Sequence, residues 1–506
     1  GRPGRRAVIV AVVARRTEAE VRAALAALAA DARADGAEVM AEVRLDALDA
    51  PSPDVCRGAP LPVLATCRRP RDGGRFRGAE DARAALLRGA AEAGAAWIDV
   101  EADLLPAFVK PPGARLVASH HDFDGLACDV RSLAKALLAA GADLVKIAIR
   151  VRNATELTAL SRAADVAPGK VTAIGLGPAG LPSRLLAERM RSPWTYVRYD
   201  GPGAGPSPVP LPAELPTFEL YARLYRDGAA GPAPEAAYAV LGDRAEESIG
   251  PLVFNRVFRA CGLPACYVPF PTTSTVAVRE ACRRFGIRGL SVTTPFKVAA
   301  LDLADEVHPR ARAVGAANTL VNEGGVWTAY DTDVDGVSEP TRAWLRRRSR
   351  DARTVRAGVV GLGGAGAAAA WALRSLGCRT TFVSRRDPPP PSPLDGVPTA
   401  TRAAIAPAAF DLVVNATPAG SPRDPRGRAV DLDWIASGGA YFETNYRPRR
   451  TPTALDAQDR GLDVIGGDAM YAAQAAAQLA LFRADADPAA VAAIAEATSW
   501  ALDRTP

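Results

Sequence analysis

Between residues 8 and 198 the chain repeats one unit eight times: a short apolar run of strand length, then, in most cases, an alanine-rich stretch with helical spacing. The apolar runs lie at 8–14, 37–43, 62–66, 97–101, 115–119, 144–148, 171–175 and 194–198. The clearest helical stretches lie at 18–35, 79–94, 129–141 and 153–165. Strands separated by helical crossovers pair in parallel. Eight such units suit a (β/α)8 barrel better than the competing arrangement, an open doubly wound sheet. A barrel also brings eight strand ends to one mouth, which says where chemistry should sit.

The pattern breaks after residue 198. The runs GPGAGPSPVPLP (201–212) and DGAAGPAPE (227–235) carry the proline and glycine density of loop and linker. A second α/β segment runs over about 238–336. A third opens with an apolar strand at 355–360, continues through the glycine-rich run 361–366 and enters an alanine-rich helix to about 376. The prolines at 388–393 mark a loop, and helices are expected at 470–484 and 488–503. The expected organisation is a barrel domain over 1–225, a small α/β domain over 238–336 joined by C-terminal helices within 470–503, and a nucleotide-binding domain over 350–469.

Composition removes several function classes. No run of about 18 uncharged apolar residues occurs, so no membrane-spanning helix is expected. The net charge of +6 over 506 residues is mild, the arginines are scattered and aromatics are few, which does not make a nucleic-acid face. Seven cysteines without a CxxC pair suit a reducing compartment. A cytoplasmic setting is expected, or a plastid if a leader has been removed. No oligomeric state follows, and a monomer is compatible.

The chain has only five lysines and three histidines. An amine can lose its proton and attack a carbonyl, whereas a guanidinium cannot. Lysines kept in so arginine-rich a chain are candidates for that chemistry. Lys146 ends the sixth strand of the barrel. The neighbouring strand ends supply Glu42, Arg44 and Asp46, then Thr66 and Arg68 before Asp72-Gly73-Gly74, then Ser119 and His121, with Ser183-Arg184 after the seventh. A desolvated lysine among arginines has a lowered pKa and forms a Schiff base with a ketone; a histidine beside it moves protons at the adjacent carbon; arginines bind a carboxylate. A class I aldolase fits the same geometry.

This set of motifs resembles the type I 3-dehydroquinate dehydratases over about residues 7–225. The resemblance implies that Lys146 forms an imine with the C3 ketone and that His121 removes the C2 proton and assists loss of the C1 hydroxyl. It further implies that Glu42 orients His121 or a substrate hydroxyl, that Arg184 binds the carboxylate, and that Arg44 and Arg68 contact hydroxyls. Two departures stand out. Asp72 replaces a glutamate, and the family's lid, Ser-Ala-Pro-Gly-Gln, aligns with Ala204-Gly205-Pro206-Ser207-Pro208.

The second candidate lysine, Lys297, follows Thr293-Thr294-Pro295-Phe296. Asp333 lies in Asp331-Thr332-Asp333-Val334-Asp335-Gly336. A lysine and an aspartate held together serve proton transfer in an alcohol/ketone couple. Gly361-Leu362-Gly363-Gly364-Ala365-Gly366 follows a strand and opens a helix, the context of dinucleotide binding. The next strand ends in Ser384-Arg385-Arg386 with no acid to meet a ribose hydroxyl, so two arginines favour a 2′-phosphate and hence NADP.

This half resembles the shikimate dehydrogenases over about 238–485. The matching pieces are Ser248-x-Gly250-Pro251, Thr293-x-Pro295-x-Lys297, Asn318-Thr319, the Asp331–Gly336 segment and the glycine run. Asn415-Ala416-Thr417-Pro418, Tyr446-x-Pro448 and Gly467-x-x-Met470-x-x-x-Gln474-x-x-x-Gln478 continue the series. The resemblance implies Lys297 and Asp333 as the catalytic pair, and Ser248, Thr293, Asn318, Tyr446, Gln474 and Gln478 around substrate. It places Gly361, Gly363, Gly364, Ala365, Gly366, Ser384, Arg385, Arg386, Thr417 and Met470 around NADP. Departures are Gly250 for a serine, Phe296 for a histidine, Asp331 for an asparagine and Glu443 for an aspartate. Gly250 is expected to leave a small space that could admit the C1 hydroxyl of quinate. The order of the two halves resembles the plant-type bifunctional enzymes of the shikimate pathway. Two other readings share the folds: a quinate or aminoshikimate dehydrogenase with an impaired dehydratase, and a non-catalytic ligand sensor.

Overall fold

The computed structural model describes residues 7–201, 205–222, 234–483 and 487–504. The chain forms two compact units. One comprises Gly1–Ala237, Asp243–Glu246 and Val268–Ile287; the other comprises Tyr238–Gly242, Glu247–Tyr267 and Arg288–Pro506.

The first unit is built on eight strands: β1 (Val8–Val13), β2 (Val39–Arg44), β3 (Val63–Thr66), β4 (Trp97–Glu101), β5 (Arg115–Asp122), β6 (Leu144–Arg150), β7 (Val171–Leu176) and β8 (Trp194–Arg198). They form one sheet in the order β7-β6-β5-β4-β3-β2-β1-β8, with parallel pairing throughout. The helices are α1 (Glu18–Ala34), α2 (Glu80–Glu92), α3 (Val130–Ala139), α4 (Ala154–Ser161), the short α5 (Leu181–Leu185) and the single turn α6 (Phe218–Leu220). Helix α1 starts where the sequence provides a capping box: Thr17 Oγ1 accepts from Glu20 N, and Glu20 accepts from Thr17 N.

The barrel expectation holds with one change. Among the described residues no ladder joins β7 to β8. The Ala173 and Gly175 amides of β7 donate instead to Ser192 Oγ at 3.2 Å and Ser183 Oγ at 2.8 Å. Two seryl hydroxyls thus satisfy amides that a closing ladder would otherwise bond, and the barrel is nearly rather than fully closed.

Side chains alternate between the faces of a strand. Val10, Val12, Met40, Leu64, Val117, Leu144, Ile174, Trp194 and Tyr196 pack together as one apolar cluster. Continuing the same alternation toward the strand ends puts Glu42, Thr66, Asp99, Ser119, His121, Lys146 and Tyr196 on the same inner face. Register then sets their level, with Thr66 opposite Asp99 and Ser119 opposite Lys146.

Six further strands form a mixed sheet in the order β10-β9-β11-β13-β14-β12. They are β9 (Ala236–Gly242), β10 (Ala265–Pro271), β11 (Ile287–Val292), β12 (Glu306–Val307), β13 (Thr319–Glu323) and β14 (Val326–Tyr330). Four helices accompany them: α7 (Gly250–Ala260), α8 (Val278–Phe285), α9 (Pro309–Val314) and α10 (Asp333–Arg347).

The last sheet comprises β15 (Arg356–Val360), β16 (Arg379–Ser384), β17 (Thr399–Thr401), β18 (Phe410–Asn415), β19 (Ile435–Glu443) and β20 (Asp463–Ile465). Its order, β17-β16-β15-β18-β19-β20, has the strand sequence of a doubly wound dinucleotide-binding fold, with the switch point between β15 and β18. Helices α11 (Gly364–Leu376), α12 (Pro452–Asp459), α13 (Gly467–Phe482) and α14 (Pro488–Leu502) complete the chain. Apolar side chains pack on both faces of this sheet, one set around Trp344, Leu373 and Phe382 and the other around Phe410, Trp434 and Tyr441. Helices α10 and α13 approach closely at Gly336, where a Cβ would lie 3.0 Å from the Met470 carbonyl oxygen. That approach accounts for the glycine of the Asp331–Gly336 segment. No helix among the described residues is long and apolar enough to cross a membrane.

Candidate active sites

At the mouth of the barrel Lys146 is buried, 5% exposed, and lies among charges of both signs. Its Nζ is 3.6 Å from Glu42 Oε1, 3.8 Å from Asp99 Oδ2 and 3.9 Å from the centre of the Tyr196 ring. Burial lowers its pKa to about 8, helped by Arg68 and Arg44 and opposed by Glu42 and Asp99. Glu42 is pushed up by burial, but Lys146, Arg68 and Arg44 outweigh this and hold it at about 2. Thr66 Oγ1 donates to Glu42 Oε1 at 2.9 Å.

Arg68 organises the site. Its Nη2 donates to Asp99 Oδ2 at 2.5 Å, and its Nη1 lies 2.8 Å from His121 Nδ1 and 2.7 Å from Nε2. A guanidinium only donates, so it faces an unprotonated ring nitrogen. Burial, and then the charges of Arg68, Lys146 and Arg44, hold His121 well below its ordinary pKa. The site therefore offers a lysine that is half neutral near pH 8 beside a neutral imidazole. Arg44 is fixed by a two-pronged contact to Asp46, with both bonds at 2.9 Å, and also donates to Gly73 O at 3.2 Å. Gly74 presses on the segment that follows β3, since a Cβ there would lie 2.1 Å from Arg68 O.

Arg184 is buried, and its Nε has no partner among the described residues. Burial lowers its pKa to about 10. The hydroxyl of buried Tyr196 is likewise unpartnered. A buried guanidinium lacking its bonds is suited to a ligand carboxylate. Ser183 is occupied inside the fold, donating to Gly180 O at 2.6 Å and accepting from Gly175 N. Asp72 pairs with Arg69 at 2.7 Å. Of the aligned lid, Ala204 lies outside the described residues, and Ser207 Oγ donates to Val209 O at 2.7 Å. Sequence reasoning missed Asp99 and Tyr196, both of which touch Lys146.

In the second unit Lys297 Nζ donates to Asp333 Oδ2 at 2.5 Å. Asn318 Nδ2 holds the other carboxylate oxygen at 2.9 Å, and also reaches Thr332 Oγ1 at 3.0 Å and Gln474 Oε1 at 3.3 Å. Burial would lower the Lys297 pKa, but Asp333 overrides it and raises the value. Asp331 is fully buried; burial and then Asp333 raise its pKa far above the carboxylate range, and its Oδ2 has no partner among the described residues.

Ser248 Oγ accepts from the Gly250 amide at 3.1 Å, and Tyr446 hydrogen-bonds Ser248 and packs edge-on against Tyr471. Thr293 directly follows β11, its amide bonded to Leu241 O at 2.9 Å. Gln478 faces inward. Its Oε1 accepts from Ser291 Oγ at 2.8 Å and its Nε2 donates to Thr319 Oγ1 at 3.0 Å, so it braces the Asn318 loop. Gly250 does not open the expected space. A Cβ there would lie 3.0 Å from Tyr267 Cε1 and 3.2 Å from Ser248 Oγ. Tyr267 is stacked on Phe254 at 4.5 Å and bonded to Ser291 Oγ at 2.6 Å, so it occupies the volume.

The glycine run is shaped for close approach. Gly361 has φ +115°, and a Cβ on Gly366 would lie 1.9 Å from Gly361 O. Gly363 has open space at its Cβ position and caps α11 without a side-chain bond, which leaves the first-turn amides, Ala365 included, available to a phosphate. Gly364 faces Lys297, with 3.3 Å from its Cβ position to Lys297 Cβ. Thr417 is fixed by Asn415, Oγ1 to Oδ1 at 2.7 Å, and Met470 is buried on α13. At the end of β16, Ser384 Oγ accepts from Arg386 N at 3.0 Å, and Arg385 and Arg386 are exposed. These residues fit a dinucleotide carrying an extra phosphate.

Barrel and second unit together define a chain with two active-site constellations, an amine–imidazole site and a lysine–aspartate site beside a nucleotide loop. Comparison with known proteins agrees. Residues 9–213 match the family model for type I 3-dehydroquinase, and residues 240–320 match that for the shikimate dehydrogenase substrate binding domain. The chain is 27% identical over 480 residues to the bifunctional 3-dehydroquinate dehydratase/shikimate dehydrogenase, chloroplastic, of Arabidopsis thaliana, covering 88% of this chain and 78% of that protein. It is 33% identical over 255 residues to the shikimate dehydrogenase (NADP(+)) of Syntrophobacter fumaroxidans, covering 49% and 87%. Against that of Salinibacter ruber it is 36% identical over 262 residues, covering 47% and 88%. The chain belongs to the shikimate dehydrogenase family, joined in one polypeptide to a type I 3-dehydroquinase.

Lys146→Arg keeps the charge but cannot form an imine, so it is expected to abolish borohydride trapping of a ketone substrate and leave the second site working. In the wild type the free amine increases as pH rises through about 8, so the trapping rate should rise to that point and level off. A pH-independent trapping rate between pH 6 and 9 contradicts the assignment. His121→Ala should still trap but slow turnover by on the order of 10²–10⁴.

Gly250→Ser is expected to crowd Tyr267 and to cost about 1–3 kcal/mol of stability, read as a lower Tm. It should reduce kcat/KM for shikimate and quinate alike. An unchanged Tm with a shifted ratio of the two substrates would show that the position selects substrate.

Proposed function

We propose that this chain dehydrates 3-dehydroquinate to 3-dehydroshikimate at the barrel site and reduces 3-dehydroshikimate to shikimate with NADPH at the second. The observation that carries the first half is the buried Lys146, with its lowered pKa, within one cluster with Glu42, Asp99, Arg68 and His121. Neutral Lys146 attacks the C3 ketone, and loss of water gives the iminium. His121 then takes the C2 proton, and the C1 hydroxyl leaves with a proton. Hydrolysis of the imine releases product. Arg184, with its unpartnered Nε, holds the carboxylate.

The second half rests on the Lys297–Asp333 contact at 2.5 Å beside the glycine loop. NADPH supplies the hydride when bound. Lys297 gives a proton to the developing alkoxide, and Asp333, fixed by Asn318, stabilises the ammonium. Ser248 and Tyr446 stand ready for the substrate carboxylate, with Thr293 and Gln474 toward its hydroxyls. Gly250 supplies no room for the C1 hydroxyl of quinate, which favours shikimate as substrate.

The test uses the intact chain. 3-Dehydroquinate with NADPH should yield shikimate, with 3-dehydroshikimate accumulating when NADPH is withheld. Oxidation of NADPH only when 3-dehydroshikimate is supplied ready-made would remove the dehydratase from the assignment. Replacing Arg385 and Arg386 with alanine should raise KM for NADPH far more than for NADH; equal effects would show that neither arginine meets the 2′-phosphate.

A further inference from the structure

The two arginines of Ser384-Arg385-Arg386 have a third beside them on the next strand. Strands β16 and β17 are parallel, and Ser384 pairs with Thr401 in their ladder. Arg385 and Arg402 therefore leave neighbouring strands at the same level, at the carboxyl edge of the sheet where a doubly wound fold takes its ligands. Arg402 is half-buried and held in place. Its Nη2 donates to Ala429 O, and its guanidinium lies 5.6 Å from the centre of the Trp434 ring. Its Nε is shut off from solvent and has no partner among the described residues.

Several arginines of the same unit pair with carboxylates: Arg348 with Asp463, Arg356 with Asp411, Arg428 with Asp456 and Arg460 with Asp433. Among the described residues no carboxylate stands within ion-pair distance of Arg385, Arg386 or Arg402. Burial and then the charge of Arg385 lower the pKa of Arg402, with Asp431 only partly offsetting them. Two guanidiniums close enough to repel, one of them with a buried unmade bond, make a site that an anion would relieve.

We propose that Arg402 is a third member of the 2′-phosphate site, closing on the phosphate from the β17 side while Arg385 and Arg386 approach from β16. This rests on the assignment of NADP given above. A phosphate can take two-pronged contacts from an arginine fork, and Arg402, being fixed by Ala429 and Trp434, loses little freedom on binding.

The test is direct binding to the full chain, by calorimetry, of adenosine 2′,5′-bisphosphate and adenosine 5′-monophosphate. Wild type should prefer the bisphosphate. Arg402→Gln should weaken the bisphosphate by roughly tenfold or more, as loss of a charged hydrogen bond does, and leave the monophosphate unchanged. Arg402→Lys should recover part of the difference. Dehydratase turnover, measured on the same samples, reports that the barrel unit is intact and should be unaffected, while the unchanged monophosphate affinity reports folding of the nucleotide-binding sheet. An equal loss for both nucleotides would overturn the proposal, since Arg402 would then only shape the adenosine pocket, and so would an unchanged bisphosphate affinity. A wild type that binds both nucleotides equally overturns the NADP assignment as well, which separates the two failures.

Discussion

The barrel site depends on charges that its own strands carry inward. Alternation along β2, β4 and β6 puts Glu42, Asp99 and Lys146 on the inner face near the strand ends, and parallel register brings them to neighbouring levels. Two carboxylates and several cations are removed from water together. Isolated burial of any one would be costly, but each has partners: Arg68 bonds Asp99, Thr66 bonds Glu42, and Lys146 lies between both acids. The balance is not even. Glu42 keeps its charge, while Lys146 and His121 are driven toward their neutral forms by burial and by the arginines. That imbalance is what converts a buried ion cluster into a nucleophile and a base.

The second unit uses the opposite setting. Lys297 keeps its proton because Asp333 is in direct contact, and Asn318 fixes the aspartate. In the proposed reactions one lysine loses its proton before it acts and the other delivers one. The difference comes from distance to the nearest acid, 3.6 Å in the barrel against 2.5 Å here, and from the arginines that surround only the first.

Much of this was legible in the sequence because it follows from periodicity and from residues that stand alone. Eight apolar runs located eight strands, and the scarcity of lysine drew attention to Lys146 and Lys297. The glycine run was found from its place between a strand and a helix. What escaped was pairwise. Asp99 sits inside an apolar strand, Trp97-Ile98-Asp99-Val100-Glu101, and an acid at an inward position of such a strand was the available signal. Tyr267, which fills the space expected at Gly250, lies on another strand, β10, and no local pattern ties the two. Arg402 becomes visible only through the pairing of Ser384 with Thr401. The missing β7–β8 ladder depends on two serine hydroxyls whose reach no alternation pattern encodes.

The cluster at the barrel mouth holds Lys146 largely neutral at mildly alkaline pH. Competitive labelling with a trace amine-reactive reagent, with each lysine read by mass spectrometry, measures this directly on the free protein. The reactivity of Lys146 is expected to titrate with a midpoint near 8, well below the usual value of about 10.4 for a lysine side chain. A midpoint for Lys146 at that usual value would contradict the assignment.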